Sequence, residues 1–165
     1  MIQDILEKPI VVLGCGNILF GDDGFGPKVI EYLESHFTLP QTVWAQDMGT
    51  GLRDFLFDLL LSPVKPERIF ILDTISQPNQ RAGELFEIDL DQLSQRKQAV
   101  SPFHQFPSLP QLKELGGLTG VEIRILAVQA AEIPETVRPG LSAEVQEAVP
   151  KACAWVMAEI ETGIS

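Results

Sequence analysis

Cysteine, histidine and positive charge are all scarce in this chain. The two cysteines, Cys15 and Cys153, form no Cys-x-x-Cys pair, so neither a disulfide framework nor a zinc knuckle is indicated, and a reducing compartment fits. Twelve lysines and arginines stand against 23 aspartates and glutamates, a formal charge of −11 that repels phosphate backbones and argues against nucleic acid as a partner. Long apolar runs are missing: Ile10–Leu13 and Leu59–Leu61 fall far short of the roughly 20 residues that cross a bilayer. The start, Met1–Pro9, carries acids where a secretory signal has a basic segment followed by an apolar one. The chain therefore reads as soluble, unexported and cytoplasmic, with no membrane insertion. No internal repeat, low-complexity tract or linker-like shift in composition occurs, and loop signals are densest between Ser101 and Pro110. There is no Gly-x-Ser-x-Gly elbow, no His-Glu-x-x-His helix and no Ser/His/Asp or Cys/His arrangement, which excludes the commonest hydrolytic machineries.

What is present fits one core. A length of 165 residues with 45% hydrophobic side chains suits a single domain over residues 1–165. Ile10-Val-Val-Leu13 is a short β-branched run closed by Gly14-Cys15-Gly16-Asn17, the pattern of a buried strand ending in a tight turn. From Asp22 the spacing becomes helical, with Phe25, Val29, Ile30, Leu33 and Phe37 on one face and Pro27 in the first turn. The alternation recurs, with a strand over Thr42–Ala45, a helix over Leu52–Leu61 and a strand from Arg68 to Leu72 that Asp73 closes. Beyond these come strands over Glu84–Ile88 and Val121–Val128, a helix over Leu109–Leu115, and a closing helix over Ala143–Ile160 with Ser142 as its N-cap and a kink at Pro150. Such alternation predicts an α/β fold with a mainly parallel sheet covered on both faces.

The block Gly14-Cys-Gly-Asn-Ile-Leu-Phe-Gly-Asp-Asp-Gly-Phe-Gly26 sets glycines and two acids at the junction of the first strand and its helix. A dinucleotide fingerprint needs a third glycine where Leu19 stands, and two acids there oppose a pyrophosphate. The P-loop spacing from Gly21 to Gly26 fails because Pro27 replaces the lysine. Capping the helix accounts for Asp22. On that basis Asp22→Asn is expected to be mild. Asp23 needs no second capping role, and a hard or borderline metal ion explains it. Asp73 closes the third strand at the carboxyl edge, where open α/β sheets bind ligands. If the first and third strands are neighbours, Asp23 and Asp73 share a crevice. His104, in the loop Ser101–Ser108, is a plausible third ligand, whereas His36 ends the first helix and caps its carbonyls. Two carboxylates and an imidazole suit nickel or zinc with positions left open.

Taken in order, the glycine-rich block, Asp47-Met-Gly-Thr-Gly51, Ile71-Leu-Asp-Thr74, His104 and Gly140-Leu-Ser142 resemble the nickel-iron hydrogenase maturation endopeptidases over nearly the whole chain. The resemblance implies that Asp23, Asp73 and His104 bind the metal and that Asp23 and Asp73 are the catalytic acids of an aspartyl-type endopeptidase. It implies a three-layer α/β/α fold of the phosphorylase/hydrolase-like kind, its five-stranded mixed sheet having strand four reversed and strands one and three adjacent. It implies nickel carried by a hydrogenase large-subunit precursor, a monomeric protease that removes the precursor's C-terminal extension, and zinc or another divalent ion as a substitute in vitro. The loop at Asp47–Gly51 becomes a wall of the metal cleft. Two departures stand out: Asp23 occupies a position where some members have glutamate, and Cys15 replaces an apolar residue. A cysteine in a strand-end turn is read as a small buried filler rather than a nucleophile. A nickel carrier without peptidase activity would share these ligands, and a nucleotide-binding domain is the third alternative.

Overall fold

The strand β1, Ile10–Cys15, is buried along its whole length, as a parallel strand covered on both faces must be. Its alternating side chains divide the interior. Val11, Leu13 and Cys15 enter one apolar cluster, and Ile10 and Val12 enter the other. The computed structural model describes residues 2–90 and 109–162. Within them, β2 (Val43–Gly49), β3 (Arg68–Ile75) and β5 (Glu122–Gln129) run parallel to β1, while β4 (Leu85–Ile88) runs against β5. The order is β2-β1-β3-β5-β4, so β1 and β3 are neighbours and β2 lies beyond β1.

Helices α2 (Phe25–His36) and α5 (Ala143–Thr162) cover one face, and α1 (Ile2–Leu6), α3 (Leu52–Leu61) and α4 (Leu109–Thr119) cover the other. The chain leaves β1 outward to β2 and returns past β1 to β3. Because both crossovers are right-handed, α2 and α3 fall on opposite faces, and the sheet's switch point opens between the carboxyl ends of β1 and β3.

Three boundaries differ from the sequence reading in ways that matter for function. The strand β2 continues to Gly49, so Asp47 lies within it, and Met48 is an extra residue where the register passes from Gly14↔Asp47 to Cys15↔Gly49. The strand β3 continues to Ile75, so Asp73 sits inside it and is buried rather than closing it at the solvent. The helix expected from Asp22 is preceded by a 3₁₀ turn, Gly21–Gly24, and α2 proper starts at Phe25. The closing helix runs through Pro150 to Thr162. Ser142 does cap it, with Oγ accepting from Val145 N–H at 3.4 Å.

Candidate functional site

Glycine governs how closely α2 approaches the sheet. A Cβ on Gly26 would collide with the backbone of Cys15 and with the Leu72 carbonyl, so the first turn of α2 lies directly on the β1–β3 seam. Gly16 has φ +135, and a Cβ there would collide with the Asp23 carbonyl oxygen. The chain thus leaves β1, loops through residues 17–20 and returns over its own exit, which sets Asp23 above the end of β1. The Asp23 carboxylate is held there by the Asn17 N–H, which donates to Oδ2 at 3.0 Å.

Asp73 reaches the same edge from β3. By strand alternation its side chain shares a face with Ile71 and Ile75, the face to which Cys15 also belongs. The carboxyl is buried, and its Oδ1 accepts the Thr74 N–H at 2.7 Å. Burial pushes the Asp73 carboxyl well above the usual carboxylate range. The Thr74 N–H pulls it back in part, and the negative charge of Asp23 raises it further. Cys15 registers the same crowding: its thiol is pushed well up, first by burial and then by the charges of Asp73, Asp47 and Asp23. Buried and disfavoured as a thiolate, Cys15 packs within the apolar cluster as the filler reading has it. Asp47, exposed on β2, accepts the Gly49 N–H at 2.8 Å and forms the outer side of this acidic edge.

Asp22 behaves unlike its neighbour. It is 1% exposed and makes no side-chain cap on its own helix, contrary to the capping role read from sequence. Its Oδ1 accepts the Ser142 N–H at 2.7 Å, and its Oδ2 accepts Ala131 N–H at 2.8 Å, Glu132 N–H at 3.2 Å and the Ser142 hydroxyl at 3.0 Å. The Asp22 carbonyl in turn accepts the Thr74 hydroxyl at 2.8 Å. Asp22 therefore ties the loop before α2 to β3, to the segment after β5 and to the start of α5. Ser142 and Thr74 are the partners that sequence reasoning missed. Their bonds to Asp22 span 120 and 52 positions and leave no local trace.

His36 ends α2 as expected, its Nδ1 lying 3.1 Å from the Tyr32 carbonyl oxygen. His104 lies outside the described residues. The helix α4, which follows it in the chain, packs on the face that Asp73 shares, through Leu112 and Leu115. Among the described residues no group of three or more histidine, cysteine or acidic side chains stands ready to hold a metal, and no helix is long and apolar enough to cross a membrane.

A family model described as HycI, hydrogenase maturation protease, matches residues 27–159. The chain belongs to the hydrogenase maturation protease family. A putative hydrogenase maturation protease of Methanocaldococcus jannaschii is 36% identical over 157 residues, covering 94% of this chain and 98% of that protein. The hydrogenase 2 maturation protease of Escherichia coli is 30% identical over 159 residues, covering 94% and 93% of the two chains. The solved structure of the hydrogenase maturating endopeptidase HybD from E. coli superposes with a TM-score of 0.66 at 27% identity, covering 94% of each chain. Maturation proteases are peptidases, and the five-stranded mixed sheet with strands one and three adjacent is their fold. In that fold the edge bearing Asp23, Asp47 and Asp73 is the carboxyl edge at the switch point, where open α/β sheets bind their ligands.

Proposed function

We propose that this chain recognises nickel carried by the large-subunit precursor of a nickel-iron hydrogenase and cuts off the precursor's C-terminal extension, acting as a cytoplasmic monomer. The observation that carries this reading is the meeting of Asp23 and Asp73 at one edge, where the charge of Asp23 bears on a buried Asp73 carboxyl. Two negative charges in a poorly solvated crevice repel each other, and a cation relieves both. Their oxygens suit a borderline divalent ion, His104 adds the nitrogen donor that the family resemblance implies, and zinc or a similar ion substitutes in vitro. Two carboxylates and one imidazole, without a thiolate, hold such an ion loosely, which suits an ion that stays with the substrate.

On this reading nickel is part of the substrate, and it supplies Lewis acidity beside the bond to be cut. The protein's own part is to bind and orient. Asp23, pinned by Asn17, faces the ion from above β1. Asp73, disfavoured as an anion by burial and by the charge of Asp23, gains most when positive charge arrives. These two acids are the groups assigned the acid–base work; the Cys15 thiol is buried and disfavoured as an anion. Asp23→Asn and Asp73→Asn should each lower trimming of nickel-loaded precursor by about a hundredfold or more while the far-ultraviolet spectrum stays native. Mass spectrometry of the precursor's C-terminus reads the result. Full trimming by both variants would sink the assignment.

A further inference from the structure

Ile18, Leu19 and Val137 are 52%, 44% and 64% exposed, large apolar side chains standing in water, the first two in the loop that carries Asp23 over the end of β1. They do not sit on a loose loop. Arg138 N–H donates to the Leu19 carbonyl at 2.8 Å and Gly21 N–H to the Arg138 carbonyl at 2.8 Å, a parallel bridge centred on Phe20 and Arg138. Leu19 N–H also donates to Asn17 Oδ1 at 3.0 Å. Beneath the bridge, the buried Asp22 carboxylate anchors the segment that leads to Val137. The bridge thereby brings the turn that carries Ile18 and Leu19 up to the segment that carries Val137. Ile18 leans toward Gly24 and stands at the rim of an open groove of about 500 Å³ whose other walls are mostly polar, among them Lys28, Glu31, Glu34 and Asp47.

We propose that Ile18, Leu19 and Val137 form a docking lip for the loaded hydrogenase precursor, receiving apolar side chains next to its metal-bearing segment. The inference rests on the proposed function. Position and charge select the occupant. The lip begins one residue after Asn17, whose N–H holds Asp23, so whatever brings an ion to Asp23 brings its neighbouring residues to the lip. A second copy of this chain, at a formal charge of −11, would bring like charge to the same edge. A rigid apolar surface loses little ordering entropy on binding, which is why a few such side chains dominate an interface.

The test uses the full-length protein with nickel-loaded precursor, reading both direct binding by fluorescence anisotropy and steady-state cleavage. Leu19→Ser and Val137→Ser change exposed side chains outside both core clusters, so thermal unfolding should match the unaltered protein. Each should raise KM and weaken precursor binding about tenfold, with kcat changed less than twofold. Cobalt(II) absorption of the isolated variants should match that of the unaltered protein, because no proposed ligand is touched. Leu61→Ser, at the opposite edge of the sheet and 78% exposed, is the control and should leave KM unchanged. If the unaltered protein binds and cleaves precursor but the lip variants match it, or if Leu61→Ser raises KM equally, the lip is overturned and the proposed function stands. If the unaltered protein neither binds nor cleaves loaded precursor, both fall together.

Discussion

Asp22 and Asp23 are adjacent in sequence and serve different ends. The Asp22 carboxylate accepts three backbone N–H groups and one hydroxyl in a buried site. Asparagine would place an NH2 against the Ala131 and Glu132 N–H donors if its oxygen stayed on Ser142. Asp22→Asn is therefore expected to cost about 3 kcal/mol, well beyond a lost cap, because buried donors are left unpaired. Ser142→Ala removes the hydroxyl's bond to Asp22 and its long cap on Val145 N–H, and should cost about 1–2 kcal/mol. Urea unfolding of the two variants checks this, and a near-neutral Asp22→Asn would contradict the latch. The mild effect that a capping role predicts is thus replaced by a severe one. Asp73 gives the opposite sign. Its folded-state pKa is raised by burial and by Asp23, so its stabilising contribution is present below the unfolded carboxylate value of about 4 and is lost as pH rises through the raised folded value. Asparagine keeps an acceptor for Thr74 N–H and carries no charge. Asp73→Asn should therefore melt higher than the unaltered protein at neutral pH, with the gap closing toward pH 4, even as it loses the trimming activity proposed for Asp73. A variant that melts lower at neutral pH would mean that the Asp73 charge is compensated in the free protein.

Packing between elements sets the site before any side chain acts. Because α2 starts on the β1–β3 seam, Gly26→Ala forces its new methyl into the backbone of Cys15 and Leu72, neither of which can turn away. Loss of about 3 kcal/mol or more, or failure to accumulate as folded protein, is expected from overpacking against backbone. Gly117→Ala, which meets nothing within 4 Å in α4, provides the comparison and should be neutral or slightly stabilising. Most of this architecture was legible in the sequence. The apolar run of β1, the helical period from Phe25 and the bounds of α3 follow from local patterning, and strand order followed from the resemblance. The ends of β2 and β3 were not legible, since Asp47 and Asp73 are polar residues that local rules assign to turns while sheet pairing carries the strands past them. The Asp22 latch was illegible for a different reason: its partners are distant in sequence, and an acid at a helix start has a sufficient local explanation.

At the scale of the whole molecule, the sheet's strand order does the decisive work. Reversal between β1 and β3 brings an acid from the first loop and an acid from the third strand to one edge, and the −11 charge of the chain leaves that edge suited to a cationic substrate group. The described part of the site holds two of the three expected ligands, and His104 lies outside it. The central claim is that the ion arrives with the substrate. One measurement tests it most directly: the extent of C-terminal trimming when the metal-free protease meets precursor batches of graded nickel content, with a chelator present that cannot strip the precursor. The account predicts trimming in proportion to the nickel the precursor carries, and none of empty precursor even when the protease itself is pre-incubated with nickel. Trimming of empty precursor, or trimming that follows nickel added to the protease, would contradict it.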